Sequence, residues 1–179
     1  MTEVTPPPPP STKVVFGTVE DDIFDAADPT DEFDGNNNFL FTGEGNDLVD
    51  VSTVSFGENR IYAGSGNDVL ILGGGDRLLG DTGNDSFFVV SGGDNLITGG
   101  KDADQFWIAT AQLPNAANTI TDFELELDVI GIAGFGPSPN LDFGEDNNGN
   151  ASLTLEGKLV ATFLGISADE LATANLTFA

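Results

Sequence analysis

The sequence predicts an all-β fold in which a chain of short strands coils into a stacked, two-sided solenoid. Three observations support this prediction. The triplet Gly-Asn-Asp occurs at residues 45–47, 66–68 and 83–85, and a degenerate copy follows at 102–104. The aspartates of successive copies are separated by 21, 17 and 19 residues. An apolar residue stands two positions after each of these aspartates. A turn that recurs at so even a stride is typical of a coil that stacks on itself.

Composition limits the possible partners and chemistries. The chain has 179 residues, of which 39% are hydrophobic, enough for one domain with an apolar core. It has 30 Asp and Glu against 5 Lys and Arg, a formal net charge of −25. Nucleic acid and anionic membranes repel such a chain, so neither is expected as a partner. Because Cys and His are absent, disulfides, the usual zinc sites and Cys- or His-based catalysis are excluded.

The N-terminal segment carries few structural signals. Residues 1–13 contain five consecutive prolines, from Pro6 to Pro10, and we interpret them as a disordered tail or as a linker to an upstream domain. The first three residues lack the basic and apolar regions of a classical signal peptide. No apolar run approaches about 18 residues, so no membrane span is expected.

Residues 17–107 divide into units of nine residues, with one insertion and one shortened unit. Glycine at the second and fourth positions permits the positive φ angles of a tight turn. The seventh to ninth positions form a short strand whose eighth residue points inward. The sixth positions are Asp22, Asn38, Asp47, Asn59, Asp68, Asp76, Asp85, Asp94 and Asp104. The eighth positions are apolar throughout: Phe24, Leu40, Val49, Ile61, Leu70, Leu78, Phe87, Leu96 and Phe106.

Two units complete one coil, so alternate units stack on the same side. Aspartates 47, 68, 85 and 104 then form a row on the first side, about 4.8 Å apart, the spacing of paired strands. Neighbouring carboxylates at that distance repel by about 1 kcal/mol in water and about 3 kcal/mol at an effective dielectric of 20. A domain has only about 5–15 kcal/mol of stability, so the row indicates a bound divalent cation. Carboxylate and carbonyl oxygens favour Ca²⁺.

The nine-residue pattern resembles the GGxGxDxUx repeat of RTX (repeats-in-toxin, hemolysin-type) calcium-binding proteins, over roughly half of the chain. It departs from that repeat at the first position, where Thr42 and Ala63 stand, and at the sixth, where Asn38 and Asn59 stand. The resemblance implies a right-handed parallel β-roll that binds several Ca²⁺ ions. Each ion is then held by aspartates of adjacent turns, chiefly Asp47, Asp68, Asp85 and Asp104, and by backbone carbonyls, for which the candidates are Gly43, Gly45, Gly64, Gly66, Gly80, Gly83 and Gly99.

The second side is expected to bind calcium more weakly. Asp76 and Asp94 form one predicted pair of ligands. Asn38 and Asn59 are either neutral ligands or members of a metal-free ladder that hydrogen-bonds turn to turn. Asp22 and Asp122 either complete terminal sites or serve as ordinary turn acids.

Residues 108–179 do not repeat, and we expect them to form a capping β-meander with one short helix. The segments Ile120–Phe123 and Asp128–Ile130 resemble the region that follows RTX repeats in secreted bacterial proteins. Asn148-Gly149 and Glu156-Gly157 are hairpin turn signals that separate strands at 140–143, 152–155 and 159–163. Ser167 and Glu170 form a capping-box pattern for a helix over 167–172. The last residues, 176–179, resemble an uncleaved type I secretion signal.

The ninth positions are expected to point outward, yet most are apolar. They form one row of Asp50, Ile71, Phe88 and Trp107 and a second row of Phe41, Tyr62, Leu79 and Ile97. We expect residues 108–179 to fold back over one row. The alternative is that a row mediates self-association or docks a partner domain.

The sequence therefore predicts a non-enzymatic, calcium-binding structural module of a bacterial protein that type I secretion machinery exports to the medium or cell surface. The alternative is a self-assembling surface-layer, matrix or adhesion protein that uses the apolar faces. There are two minor alternatives. Ice binding is disfavoured because the third positions of the units lack a file of threonines. Glycan binding is disfavoured because the repeats contain few basic side chains. No nucleophile elbow or phosphate loop is present to support an enzyme.

Overall fold

The computed structural model describes residues 12–30, 32–54 and 57–179. Two sheets, of nine and seven strands, form the walls of a solenoid, and one apolar cluster fills the space between them. Residues 1–11 of the predicted tail or linker lie outside the described residues.

The chain alternates between the two sheets. In the nine-stranded sheet the order is β1-β3-β5-β7-β9-β11-β15-β14-β13, and in the seven-stranded sheet it is β16-β12-β10-β8-β6-β4-β2. The strands are β1 (Val14–Phe16), β2 (Ile23–Asp25), β3 (Phe39–Glu44), β4 (Leu48–Asp50), β5 (Arg60–Ser65), β6 (Val69–Gly74), β7 (Arg77–Thr82), β8 (Ser86–Gly93), β9 (Leu96–Lys101), β10 (Gln105–Thr110), β11 (Asn118–Ile120), β12 (Val129–Ala133), β13 (Leu141–Glu145), β14 (Ala151–Leu155), β15 (Lys158–Phe163) and β16 (Asn175–Phe178).

Every strand pair from β1 to β12 is parallel, as are the pairs β11–β15 and β12–β16. Among the strands of the described residues, only β13, β14 and β15 pair antiparallel. The predicted all-β parallel solenoid is therefore confirmed. The parallel ladders also continue beyond residues 17–107, because β11, β12, β15 and β16 extend the two sheets.

The core follows the nine-residue register. The eighth residues of the units are buried and stack coil upon coil, as Leu40, Ile61 and Leu78 do in one sheet. In the other sheet, the rings of Phe87 and Phe106 stack with centroids 5.3 Å apart. Leu96 is the exception, since Ile97 and not Leu96 pairs with Leu78 and is buried.

The C-terminal region has the predicted meander and helix. Both predicted hairpin turns are present, and Glu156 and Gly157 adopt φ angles of 51° and 78°. Helix α1 (Ala168–Leu171) begins after Ser167, whose side chain accepts from the Glu170 N–H while the Glu170 carboxylate accepts from the Ser167 N–H. Within the described part of the chain, no helix has the length and apolar character needed to cross a membrane.

The residues of the outward rows are half-buried or exposed. Asp50, Ile71, Phe88 and Trp107 are neighbours in register, as predicted. The second row runs Phe41, Tyr62, Leu79 and then Thr98, not Ile97. Phe41 and Tyr62 are 36% and 38% exposed. The expectation that residues 108–179 fold back over one row was wrong, because those residues lengthen the two sheets instead.

The close stacking of the turns predicts how alanine substitutions at glycine will act. A Cβ at Gly66, whose φ is 132°, would lie 1.8 Å from the Gly45 carbonyl oxygen. We expect Gly66→Ala to lower the free energy of unfolding by roughly 3–5 kcal/mol, from backbone strain and overpacking together. Gly149 is the control, because its φ is also positive, at 80°, but a Cβ there meets nothing within 4 Å. Gly149→Ala is expected to cost only about 1 kcal/mol. Urea unfolding in saturating calcium measures both, and equal costs would contradict the account.

Candidate metal centre

One edge of the solenoid carries a continuous file of aspartates, which we call the aspartate file. Each member lies in the turn between a strand of the nine-stranded sheet and the next strand of the seven-stranded sheet. The backbone N–H of each aspartate donates to Oδ1 of the aspartate in the following coil, at 2.8 or 2.9 Å. These bonds connect Asp22, Asp47, Asp68, Asp85, Asp104 and Asp128 in that order.

The second carboxylate oxygen of the inner members has no hydrogen-bond partner among the described residues. Oδ2 of Asp47, Asp68 and Asp85 is buried and accepts no hydrogen bond, and these side chains are at most 1% exposed. Buried polar atoms in proteins are nearly always paired, since an unpaired one costs about 1–3 kcal/mol and a charged one more. Each of these turns therefore presents one unsatisfied carboxylate oxygen.

The glycines of the turns leave space beside these oxygens. A Cβ at Gly80 would lie 2.1 Å from Asp85 Oδ2 and 2.4 Å from the Gly99 carbonyl oxygen, and one at Gly99 would lie 2.3 Å from Asp104 Oδ2. Carboxylate and carbonyl oxygens from adjacent turns thus converge on one small space, a donor set that suits a hard cation.

The other predicted glycines line the same stack of turns. The carbonyl oxygens of Gly43, Gly45 and Gly66 each lie within about 2 Å of the position that a Cβ would take at a glycine of the next turn. These next-turn glycines are Gly64, Gly66 and Gly83, respectively. The carbonyl oxygens therefore point along the stacking axis, between one turn and the next.

Burial is the main influence on the ionisation of the file. It raises the pKa of Asp68 to about 6 and the pKa of Asp85 and of Asp104 to about 7. The hydrogen bond to each carboxylate opposes this rise, while the charge of the preceding member, such as Asp47 beside Asp68, adds to it. Burial also raises the pKa of Asp128. Without a cation, these four members of the file therefore hold protons more strongly than ordinary aspartates do.

The opposite edge carries a second file, which we call the amide file because most of its members are asparagines. Each backbone N–H again donates to the side-chain oxygen of the next coil, at 2.9–3.3 Å. Asp76 is its one acid. Its Oδ1 accepts from Asn59, while its Oδ2 is buried and unpaired, and burial raises its pKa to about 6. The members are Asn38, Asn59, Asp76, Asn95 and Asn118, so Asn38 and Asn59 do belong to a hydrogen-bonded ladder.

The structure corrects the register on this edge, because Asn95 and not Asp94 occupies the file. Asn95 Oδ1 accepts from the Asp76 N–H at 2.9 Å, whereas Asp94 is exposed and has a φ of 61°. Strand β8 is eight residues long and ends at Gly92-Gly93, both with positive φ. The extra residue in this coil shifts the register by one, so the predicted pairing of Asp76 with Asp94 was wrong.

The two predicted terminal acids occupy different places. Asp22 is the first member of the aspartate file, and its carboxylate accepts from the N–H and Oγ1 of Thr18. Asp122 lies outside the file and accepts from the N–H groups of Gly99 and Gly100, at 2.9 Å each. Whether either binds metal stays a prediction.

Sequence reasoning missed Asp128 as a file member. The available signal was local, since Asp128-Val129-Ile130 repeats the order of Asp104-Gln105-Phe106, with an acid two positions before a buried apolar residue. The break in the nine-residue stride after residue 107 hid this correspondence.

The exposed asparagines of the Gly-Asn-Asp triplets have a structural role of their own. The N–H groups of Asn67, Asn84 and Ala103 each donate to the side-chain oxygen of the asparagine one coil earlier, at 2.8–2.9 Å. Asn46 donates in the same way to Asp21 Oδ1 at 2.7 Å.

In the part of the chain that the structure describes, no three acidic side chains converge as a metal cluster.

The raised pKa values predict an unusual pH dependence for the calcium-free protein. The pKa of Asp is about 4 in an unfolded chain, whereas that of Asp85 and Asp104 is about 7 in the fold. The folded state therefore binds more protons between these values, and the free energy of unfolding is highest below pH 4 and falls as pH rises through 7. Circular dichroism of chelator-dialysed protein at pH 5 and pH 7.5 measures this as the fraction of folded chains, which is expected to be larger at pH 5.

The control for the pH prediction is Asp85→Asn, which removes one titrating group and keeps the side-chain oxygen. Its difference between pH 5 and pH 7.5 is expected to be smaller than that of the unmodified chain. A calcium-free protein that becomes more stable as pH rises over this range would contradict the prediction.

Three comparisons relate the chain to known proteins. A family model of the RTX calcium-binding nonapeptide repeat, in 4 copies, matches residues 34–53 and 49–79. Among solved structures, the chain is similar to the extracellular lipase LipA from Serratia marcescens, with 14% identity and a TM-score of 0.39. The similarity covers 93% of this chain and 40% of the lipase. A comparison with curated proteins gives no match. The stacked turns and the family match together identify residues 34–79 as RTX calcium-binding nonapeptide repeats, carried in a parallel β-roll.

Proposed function

We propose that this chain is a calcium-dependent folding module of a secreted bacterial protein, with a structural rather than a catalytic role. The observation that carries the proposal is the set of buried, unpaired Oδ2 atoms in the aspartate file. A divalent cation between successive turns satisfies these oxygens and removes the repulsion between neighbouring carboxylates.

The sites lie between adjacent coils. The pairs Asp47/Asp68, Asp68/Asp85 and Asp85/Asp104 each supply two carboxylates, and the turn glycines supply carbonyl oxygens. Because no group of three acidic side chains converges among the described residues, each ion takes the rest of its six or more oxygen ligands from the backbone. Asp128 extends the same arrangement past Asp104.

The energetics favour coupling between calcium and folding. Repulsion of about 1–3 kcal/mol for each neighbouring pair removes a large share of the 5–15 kcal/mol that stabilises a typical domain. Each bound ion contributes about 1.4 kcal/mol when free calcium is ten times the dissociation constant. Calcium modules that work outside cells bind at about 10⁻⁴–10⁻³ M, so such sites are empty in the cytosol and filled outside.

This coupling suits export of an unfolded chain. In the cytosol, the net charge of −25 keeps the calcium-free chain expanded. The C-terminal residues 176–179, proposed as a type I secretion signal, lie mostly in β16, which pairs with β12 in the folded state. We therefore propose that the secretion machinery reads this segment before the roll folds, and that extracellular calcium then completes folding.

A substitution in the aspartate file is expected to weaken calcium-induced folding. Asp68→Asn preserves the shape and the accepted hydrogen bond but removes a charge shared by two sites. Its calcium midpoint, followed by circular dichroism, should rise by roughly three- to tenfold, because affinity in oxygen-ligand sites follows the number of charged ligands. Asp94→Asn is the matched control, since Asp94 lies outside both files, and its midpoint should stay within about twofold. The proposed function would be refuted if the circular dichroism spectrum of the unmodified chain changed with neither calcium nor chelator.

Self-association through the apolar rows is a second candidate function, favoured by two columns of outward aromatic rings. Phe16, Phe41 and Tyr62 stack with centroids 5.4 and 4.8 Å apart, and Phe88 and Trp107 stack at 5.7 Å. Phe16 is 70% exposed. Contiguous exposed apolar surface of this kind commonly marks an interface. Because the aromatic rings stack face to face, the ring edges point to solvent. This arrangement suits contact with another apolar surface better than stacking on a sugar.

Removal of the ring column tests this candidate. If the column mediates assembly, a Phe41→Thr/Tyr62→Thr variant in calcium should sediment as a monomer at concentrations where the unmodified chain associates. Leu127→Ser is the control, because Leu127 is 48% exposed but lies outside both rows. A chain that stays monomeric at all concentrations in calcium would remove the second candidate.

A further inference from the structure

Both arginines of the chain lie side by side on the outer face of the nine-stranded sheet. Arg60 on β5 and Arg77 on β7 are direct neighbours in the parallel register, and the sequence contains no other arginine. Adjacent strands lie about 4.8 Å apart, and like charges directly opposite each other destabilise a sheet. In a chain with a net charge of −25, this pairing of two cations is not explained by the stacking of the coils.

Neither guanidinium forms an ion pair with a described residue. The one ion pair in the described part of the chain joins Lys13 and Asp34. The Arg60 guanidinium lies over the Phe39 ring, 4.9 Å from its centroid, a contact that holds the cation in place without cancelling its charge. Arg77 is exposed. Both positive charges therefore remain available to a ligand.

The two arginines border a cleft whose other walls are mainly apolar. The cleft has a volume of about 210 Å³. Tyr62 and Leu79 are neighbours in register and follow the arginines by two residues, so they lie on the same face of the sheet. Leu96 and Thr98 of β9 complete the lining, and the Thr98 hydroxyl is hydrogen-bonded to the Thr121 hydroxyl at 2.8 Å. The cleft thus combines two cations with an apolar surface, as ligand sites commonly do.

Three acids near the cleft limit the charge of its ligand. Glu58 and Asp94 line hollows that adjoin the arginines. Asp76 directly precedes Arg77 but is buried. These negative charges oppose a dianion more strongly than a monoanion, so a carboxylate fits the cleft better than a phosphate does. The planar guanidinium group binds a carboxylate through two parallel hydrogen bonds.

We propose that this cleft binds an organic carboxylate with an apolar body. Arg60 and Arg77 bind the carboxylate, which neutralises their mutual repulsion, and Tyr62 and Leu79 pack against the body. Tyr62 is 38% exposed, so a ligand there removes apolar surface from water. The inference goes beyond the proposed function, because binding of the carboxylate uses side chains that belong to neither file.

Binding of naphthoate to the full chain in saturating calcium tests the proposal. Naphthoate has one carboxylate on an apolar ring system, and its fluorescence anisotropy rises when it binds. Competition measurements compare it with three analogues. Naphthalenemethanol, which lacks the charge, and acetate, which lacks the rings, are each expected to bind roughly tenfold more weakly. Naphthyl phosphate, mostly a dianion at neutral pH, is expected to bind no more tightly than naphthoate.

Substitutions of the basic residues identify the site. Arg60→Gln and Arg77→Gln should each raise the naphthoate dissociation constant by roughly three- to tenfold, between the effects of exposed ion pairs and of charge-assisted hydrogen bonds. Arg77→Gln is the more specific variant, because Arg60 also packs on Phe39. Lys158→Gln is the matched control, since it removes the same charge from β15 of the same sheet. Its dissociation constant should stay within about twofold.

Four results would overturn the inference. They are no binding of naphthoate, equal binding of naphthalenemethanol, tighter binding of naphthyl phosphate, and an Arg77→Gln variant that binds like Lys158→Gln. Circular dichroism in calcium checks that each variant is folded. Because calcium-induced folding of the unmodified chain is measured separately, any of these four results leaves the proposed function standing.

Discussion

The structure depends on the hydrogen bond from the backbone N–H of one aspartate to Oδ1 of the aspartate in the next coil. This bond fixes the register of successive turns, and from Asp47 to Asp128 it places each carboxylate in the buried space between them. Because only one oxygen is used, Oδ2 of Asp47, Asp68 and Asp85 remains without a partner. The same contact that stacks the coils therefore creates both the repulsion that opposes folding and the oxygen ligands that a cation needs.

The turns stack through the same type of hydrogen bond on both edges of the roll, but the acceptors are carboxylates on one edge and mainly amides on the other. On the amide-file edge, asparagine side chains make equivalent bonds without charge, and Asp76 is the one acidic member. On the aspartate-file edge, every coil adds a negative charge. The C-terminal region completes both edges, since Asp128 and Asn118 continue the files, and the antiparallel strands β13 and β14 end the nine-stranded sheet. We propose that these strands cap this end of the stack, as terminal repeats do in other solenoids.

Much of this architecture could be predicted from the sequence, because the nine-residue stride encodes the turn, the acid and the buried apolar residue together. Prediction failed where the stride changed. The pattern alone did not show that the Gly92-Gly93 pair accommodates an extra residue, so Asp94 and Leu96 were assigned to positions that Asn95 and Ile97 occupy. Asp128 was missed for the same reason, since its coil is longer. The unpaired Oδ2 atoms required coordinates, because hydrogen bonding is not visible in a repeat pattern.

A crystal structure grown in calcium would show whether the unpaired Oδ2 atoms are calcium ligands. Anomalous scattering can locate the ions independently of the protein. The account predicts an ion within about 2.3–2.6 Å of Oδ2 of Asp47, Asp68 and Asp85, each between two successive turns of the aspartate file. Ions located only at exposed carboxylates, with these three oxygens still unpaired, would contradict it.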